Sequence, residues 1–156
     1  MGNILLTDEE INLLLSEKKE LLSRNLFRPR LRDTGWHKRC TMKARGVTGA
    51  RFQIRLRQGL CKPQDFSVIF AYFLPTTREL FHLRRYDGWD RHGGKRHDCV
   101  LCGFHIHRAT ERSQALGIQT EYQAEVTNRY FDILSAYDCM LQDCGFEFVQ
   151  PQKRLL

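Results

Sequence analysis

Apolar residues recur along this chain with two periods. Ile11, Leu14, Leu15, Lys18 with its aliphatic stem, and Leu22 stand three or four apart, which predicts a helix over 8–23. Thr7 followed by Glu10 supplies a capping box at its start. Pro29 and Gly35, in RNLFRPRLRDTGW, break the pattern. Period two follows. HKRCTMKARG sets Cys40, Met42 and Ala44 against Arg39, Thr41, Lys43 and Arg45. GARFQIRLRQG sets Phe52, Ile54 and Leu56 against Arg51, Gln53, Arg55 and Arg57. Two strands joined by a GVTG hairpin result.

DFSVIFAYFL is apolar on both faces, as a central strand should be. RELFHLRRYDG alternates again, with Phe81 and Leu83 on one side and His82, Arg84 and Tyr86 on the other. After the glycine-rich loop DGWDRHGGKRHD, VLCGFHIHR reads as a fifth strand with His105 and His107 on one face. Helical spacing returns in Tyr122, Val126, Tyr130, Ile133, Leu134, Tyr137, Leu141 and Cys144. Thr120 and Gln123 would cap that helix and Gly145 would close it, with Phe146 behind. The expected fold is a single α+β domain over 1–156, a five-stranded antiparallel meander sheet with the N- and C-terminal helices packed on one face.

Charge sharpens this picture. The chain carries a net +7, yet Arg24 to Arg57 holds eleven Lys or Arg against one acid, Asp33. That segment is +10, so the rest is −3. The helical segments are acidic, which gathers negative charge behind the sheet. Arg39, Lys43, Arg45, Arg51, Arg55 and Arg57 then occupy six of eight outward positions on two adjacent strands. Like charges facing each other across strands destabilise a sheet, and a polyanion relieves the cost. Nucleic acid is the expected partner, RNA ahead of DNA. An acidic protein docking on the same face is the alternative, and exposed strand edges allow a homodimer.

No run of about 18 apolar residues is present, so no membrane partner is expected, and MGNILLTDEE lacks the features of a secretion signal. A cytoplasmic protein is the reading that follows. The six cysteines, at 40, 61, 99, 102, 139 and 144, are then reduced thiols.

The chemistry concentrates in DCVLCGFHIHR. Cys99, Cys102, His105 and His107 form a C-x2-C-x2-H-x-H array of zinc-ligand types. On a strand, however, Cys99 and Cys102 point to opposite faces, so the four converge only if Cys99 lies in a bend before the strand. No metal or other cofactor is therefore expected from this array. His105 and His107 share a face, and a neighbouring strand would bring His82, Arg84 and Tyr86 to it. Two positioned imidazoles can take a proton from a ribose 2′-hydroxyl and return one to the leaving 5′-oxygen without a metal. In this reading His105 and His107 are the base and acid, Arg84 stabilises the phosphate, and His82 or Tyr86 orients. Metal binding by His82, His105 and His107 is the competing use. The plainer alternative leaves these as surface side chains or as partners of nearby acids such as Asp87 and Asp90. Trp36 and Trp89 could stack on bases or cap the core.

The run FHLRRYDG followed by GFHIHRATE and a long helix, from Arg78 to Phe148, resembles small uncharacterised bacterial proteins of mobile or defence-related gene neighbourhoods, some of them toxin-like. The resemblance implies a toxin-type nuclease and assigns no catalytic residue.

Overall fold

The computed structural model describes residues 2–22, 28–89, 103–117 and 124–146. The helices are α1 (Asp8–Ser16), α2 (Glu111–Leu116) and α3 (Ile133–Asp143). The strands are β1 (Lys19–Leu21), β2 (Arg32–Asp33), β3 (His37–Gly46), β4 (Arg51–Gly59), β5 (Phe66–Phe73), β6 (Leu80–Asp87), β7 (His105–Arg108) and β8 (Ala124–Val126). They form one open sheet in the order β1-β3-β4-β5-β6-β7-β8, with β2 also pairing β3. Among the described residues these strands pair antiparallel, and Lys19 makes one isolated parallel bridge to Phe146.

The expected meander is its centre, β3 to β7, and the alternating sequences account for it. Among the described residues the sheet has eight strands, not five. The additions, β1, β2 and β8, are two or three residues long, too short to show a period. The GVTG turn forms as expected, Gly46 N–H donating to the Ala50 carbonyl at 2.8 Å.

Phe52, Ile54, Leu56, Phe66, Val68, Phe70, Tyr86 and Ile106 make the inner face of the sheet. Ile11 and Leu15 of α1 join the same core, as do Ile133, Ala136, Tyr137, Met140 and Leu141 of α3. Both helices are shorter than their periodicity suggests. α1 stops at Ser16 because Lys19 turns inward: its Nζ donates to the carbonyls of Leu15, Glu17 and Cys144 at 3.0, 2.8 and 2.6 Å. The ammonium thereby satisfies carbonyls left open at the C-terminal ends of α1 and α3. It also lies over the rings of Phe52 and Phe70 at 5.0 and 5.6 Å.

The C-terminal helix begins at Ile133, where the Asp132 carboxylate accepts from Ser135 N–H at 2.8 Å. The Thr120–Gln123 capping box lies outside the described residues, and Val126 belongs to β8. Gly145 ends α3 at φ +82°, with Phe146 N–H returning to the Leu141 carbonyl at 3.1 Å. A Cβ at Gly145 would fall 2.3 Å from the Glu17 carbonyl oxygen, so glycine is required by both conformation and space.

α2 anchors the N-terminal segment. Asp8 and Glu111 each accept a hydrogen bond from the other's backbone N–H, at 2.8 and 2.7 Å, so α1 and α2 cap each other's first turn. The Gln114 amide holds Leu5 N, Leu6 N and the Leu6 carbonyl at 2.7, 3.1 and 2.8 Å. Among the described residues no helix is long and apolar enough to cross a membrane.

Candidate functional site

A bulge in β6 determines which side chains share the outer face. Phe70 pairs with Arg84 and Ala71 with His82, so Leu83 is the extra residue and the alternation changes phase there. The five residues expected together are therefore divided. His82, opposite Ala71, is on the outer face and exposed. Arg84, opposite Phe70, and Tyr86, opposite Val68, are on the inner face. Placing Arg84 and Tyr86 beside His105 and His107 is corrected by this one-residue insertion.

On the inner face Arg84 and Tyr86 belong to a network with α3. The Tyr86 hydroxyl donates to Asp143 Oδ2 at 2.7 Å. Arg129 binds both oxygens of the same carboxylate, at 2.9 and 2.7 Å, and Arg84 Nη1 lies 3.7 Å from Oδ2. Burial pushes the Tyr86 hydroxyl far above its ordinary value, with the neighbouring Asp143 carboxylate acting in the same direction. Burial alone would raise the Asp143 carboxyl, but the hydrogen bonds from Arg129 and Tyr86 outweigh it and hold it below the usual range.

The residue that takes the expected place of Arg84 is Arg85, opposite Ile69 and His107. Two rows of partners therefore cross the outer face. One runs Arg32, Arg39, Arg57, Ser67, Asp87, His105; the next runs Thr41, Arg55, Ile69, Arg85, His107. Arg39 faces Arg57, and Arg45 faces Arg51. Arg39, Lys43, Arg45 and Arg51 are exposed and Arg55 and Arg57 half-buried; Arg57 reaches Asp65 at 3.4 Å. Trp36, just before β3, is 84% exposed. The basic stripe is thus arranged as its alternation predicts.

At the other end of these rows Asp87, His105 and His107 cluster. All three are buried, the His107 side chain to 1% exposure, so the two histidines are partners of Asp87 and not solvated strand residues. Asp87 Oδ2 lies 3.1 Å from His107 Nε2, 3.5 Å from His105 Nε2 and 2.9 Å from Arg85 Nε. Its Oδ1 accepts from the Ser67 hydroxyl at 2.8 Å. His105 Nδ1 is 2.8 Å from the Gly103 carbonyl, and the imidazole centroids are 4.7 Å apart. Behind them the Tyr130 hydroxyl reaches the carbonyls of Asp87 and His105 at 2.7 and 2.9 Å.

The electrostatics follow from this packing. Burial works to raise the Asp87 carboxyl, but hydrogen bonds from His105 and His107 and the Arg85 charge override it and hold it well below the usual carboxylate range. Burial works to lower His105, and the Asp87 and Gly103 hydrogen bonds more than reverse it, so its pKa lies above the ordinary value. A permanent anion and an imidazole biased toward its charged form thus meet in a site shielded from water.

Sequence reasoning missed Ser67, Arg85 and the centrality of Asp87. Asp87 was legible: it ends a strand two residues after Arg85, and an antiparallel neighbour bearing histidines at period two could face it. Arg85 was hidden by the bulge. Cys99, Cys102 and the loop from 90 to 98 lie outside the described residues, so the cysteine half of the C-x2-C-x2-H-x-H array has no described position.

These features define an α+β protein with a mostly antiparallel open sheet, basic on the outer part of one face and carrying an Asp–His–His cluster at the other end of it. Comparison of the chain with protein-family models, with curated proteins and with solved structures gives no match.

Proposed function

We propose that the protein binds nucleic acid, RNA in preference to DNA, along the outer face of its sheet. The observation that supports this is the register: Arg39 faces Arg57 and Arg45 faces Arg51, and Arg32 extends the first pair into a row of three guanidinium groups on adjacent strands. With strands about 4.8 Å apart, such rows repel themselves, and a phosphate backbone relieves the repulsion while releasing counterions. Trp36, exposed at the start of β3, offers a ring for a base to stack on.

Cleavage of the bound strand is a second reading, and the adjacency of His105 and His107 at the end of the same rows favours it. A 2′-hydroxyl proton would pass to one imidazole and a proton return to the leaving 5′-oxygen from the other, with Arg85 at the phosphate in place of Arg84. Cleavage requires the buried pair to open to the RNA and excludes a metal held by the same nitrogens. This reaction identifies RNA as the substrate, because DNA lacks the hydroxyl.

Fluorescence anisotropy with labelled single-stranded RNA and DNA, at salt from 50 to about 300 mM, tests the binding reading. Affinity that falls steeply with salt and weakens in Arg51→Ala and Arg55→Ala supports it. No affinity at physiological salt would leave an acidic protein as the partner of the basic face. The same RNA, incubated in EDTA with wild type and His105→Ala, reads out metal-free cleavage.

A further inference from the structure

The contacts around Asp87 need a cation among them, either a proton on His105 Nε2 or a metal ion. His105 Nδ1 lies 2.8 Å from the Gly103 carbonyl, which can only accept, so Nδ1 carries the proton. In a neutral imidazole the lone pair is then on Nε2, the atom 3.5 Å from the Asp87 carboxylate. His107 Nε2 lies 3.1 Å from the same carboxylate oxygen and 3.1 Å from Arg85 Nη2, an acceptor and a donor on one nitrogen. It can satisfy only one of them. A proton on His105 Nε2 meets the Asp87 carboxylate, and a metal ion in place of that proton would take a lone pair from each of the three side chains.

We propose that Asp87, His105 and His107 bind a divalent first-row transition-metal ion such as Zn²⁺. The possible ligand atoms of the three residues lie within 4.8 Å of one another. A tetrahedral ion with bonds of about 2.1 Å holds its ligands roughly 3.4 Å apart, and the separations from Asp87 Oδ2 to the two Nε2 atoms are 3.1 and 3.5 Å. The supporting groups are those a metal centre uses. Gly103 fixes the His105 tautomer, Ser67 holds Asp87 Oδ1 and turns Oδ2 inward, and Tyr130 ties the backbones of Asp87 and His105 together. On capture of the ion Arg85 releases His107 and keeps its bond to Asp87.

Two imidazoles and one carboxylate select zinc, iron or manganese over calcium or magnesium. Three protein ligands leave a position for water or a substrate oxygen, as in catalytic and not structural sites. One carboxylate leaves the ion a net charge of +1, and Arg85 adds another, so the open position favours an oxyanion over a neutral ligand. That this oxyanion is a phosphate rests on the nucleic-acid reading; the metal site itself does not.

The test is titration of chelator-stripped full-length protein with Co²⁺, followed by visible absorption and by metal analysis, with Zn²⁺ as competitor and no nucleic acid present. One Co²⁺ per chain, displaced by one Zn²⁺, with no thiolate-to-cobalt charge-transfer band, is the expected result. Asp87→Asn, His105→Ala and His107→Ala should each weaken binding at least 100-fold, Ser67→Ala should weaken it about tenfold, and Cys99→Ser/Cys102→Ser should leave it unchanged. Circular dichroism identifies any variant that does not fold, and the wild-type and Ser67→Ala titrations still decide the question. Absence of stoichiometric uptake by the wild type would overturn the proposal, leaving a proton as the shared cation. Uptake that survives in folded Asp87→Asn and His107→Ala, or that is lost in the cysteine variant, would overturn it as well.

Discussion

Asp87 Oδ2 and His107 Nε2 lie 3.1 Å apart, on antiparallel strands and with almost no access to water. The Asp87 carboxylate also faces His105 and Arg85, so one anion balances three nitrogenous side chains. Asp87→Ala would leave these without their counter-charge in a buried setting. It should cost about 3 to 5 kcal/mol, read as a lowered urea midpoint with the m-value unchanged. The conservative Asp87→Asn, which keeps an oxygen acceptor, should lose less.

Lys19 is the second buried charge with structural consequence. Replacing it by Met removes the donor shared by the carbonyls of Leu15, Glu17 and Cys144. Each buried carbonyl left without a partner costs about 1 to 3 kcal/mol, and packing by the Met side chain recovers part of that. Lys19→Met should therefore destabilise the protein by about 3 kcal/mol in chemical unfolding.

The Asp143 carboxyl has its folded pKa below the ordinary value, chiefly because bonds from Arg129 and Tyr86 outweigh burial. The sign follows from linkage: a depressed carboxyl stabilises the fold above its unfolded pKa, about 3.9, and the benefit is lost as pH falls through the folded value. Asp143→Asn should lower stability by about 1 to 3 kcal/mol at pH 7. That difference from wild type should shrink steadily below about pH 4, measured as urea midpoints across the range.

Gly145→Ala should destabilise more than a helix-terminal glycine normally does. The position needs φ +82° and lies against the carbonyls of Leu15 and Glu17, so the methyl group forces α3 and the segment after α1 apart. A loss of about 2 kcal/mol or more is expected, visible as a lowered thermal midpoint.

Substitutions in the basic rows should behave in the opposite way. Arg45→Gln or Arg51→Gln removes one of two guanidinium groups that face each other across strands, so stability should be unchanged or higher by a few tenths of a kcal/mol. RNA affinity should fall, and each lost phosphate contact should reduce the slope of log K against log salt by about 0.7.

The alternation of HKRCTMKARG and GARFQIRLRQG, together with the apolar run FSVIFAYF, determined β3, β4 and β5, their inner residues and the basic outer face. Period two leaves no other placement once one face must leave water. His105 and His107 shared a face for the same reason. Tertiary structure decided the rest. The bulge at Leu83 moved Arg84 and Tyr86 to the inner face and brought Arg85 to the outer one, because a single added residue reverses every later side chain without altering local composition. Lys19, bonded to carbonyls from both ends of the chain, stopped α1 early. Asp87 became the centre of the site through partners 18 and 20 residues away, His105 and His107, a pairing set by strand register and invisible to any local pattern.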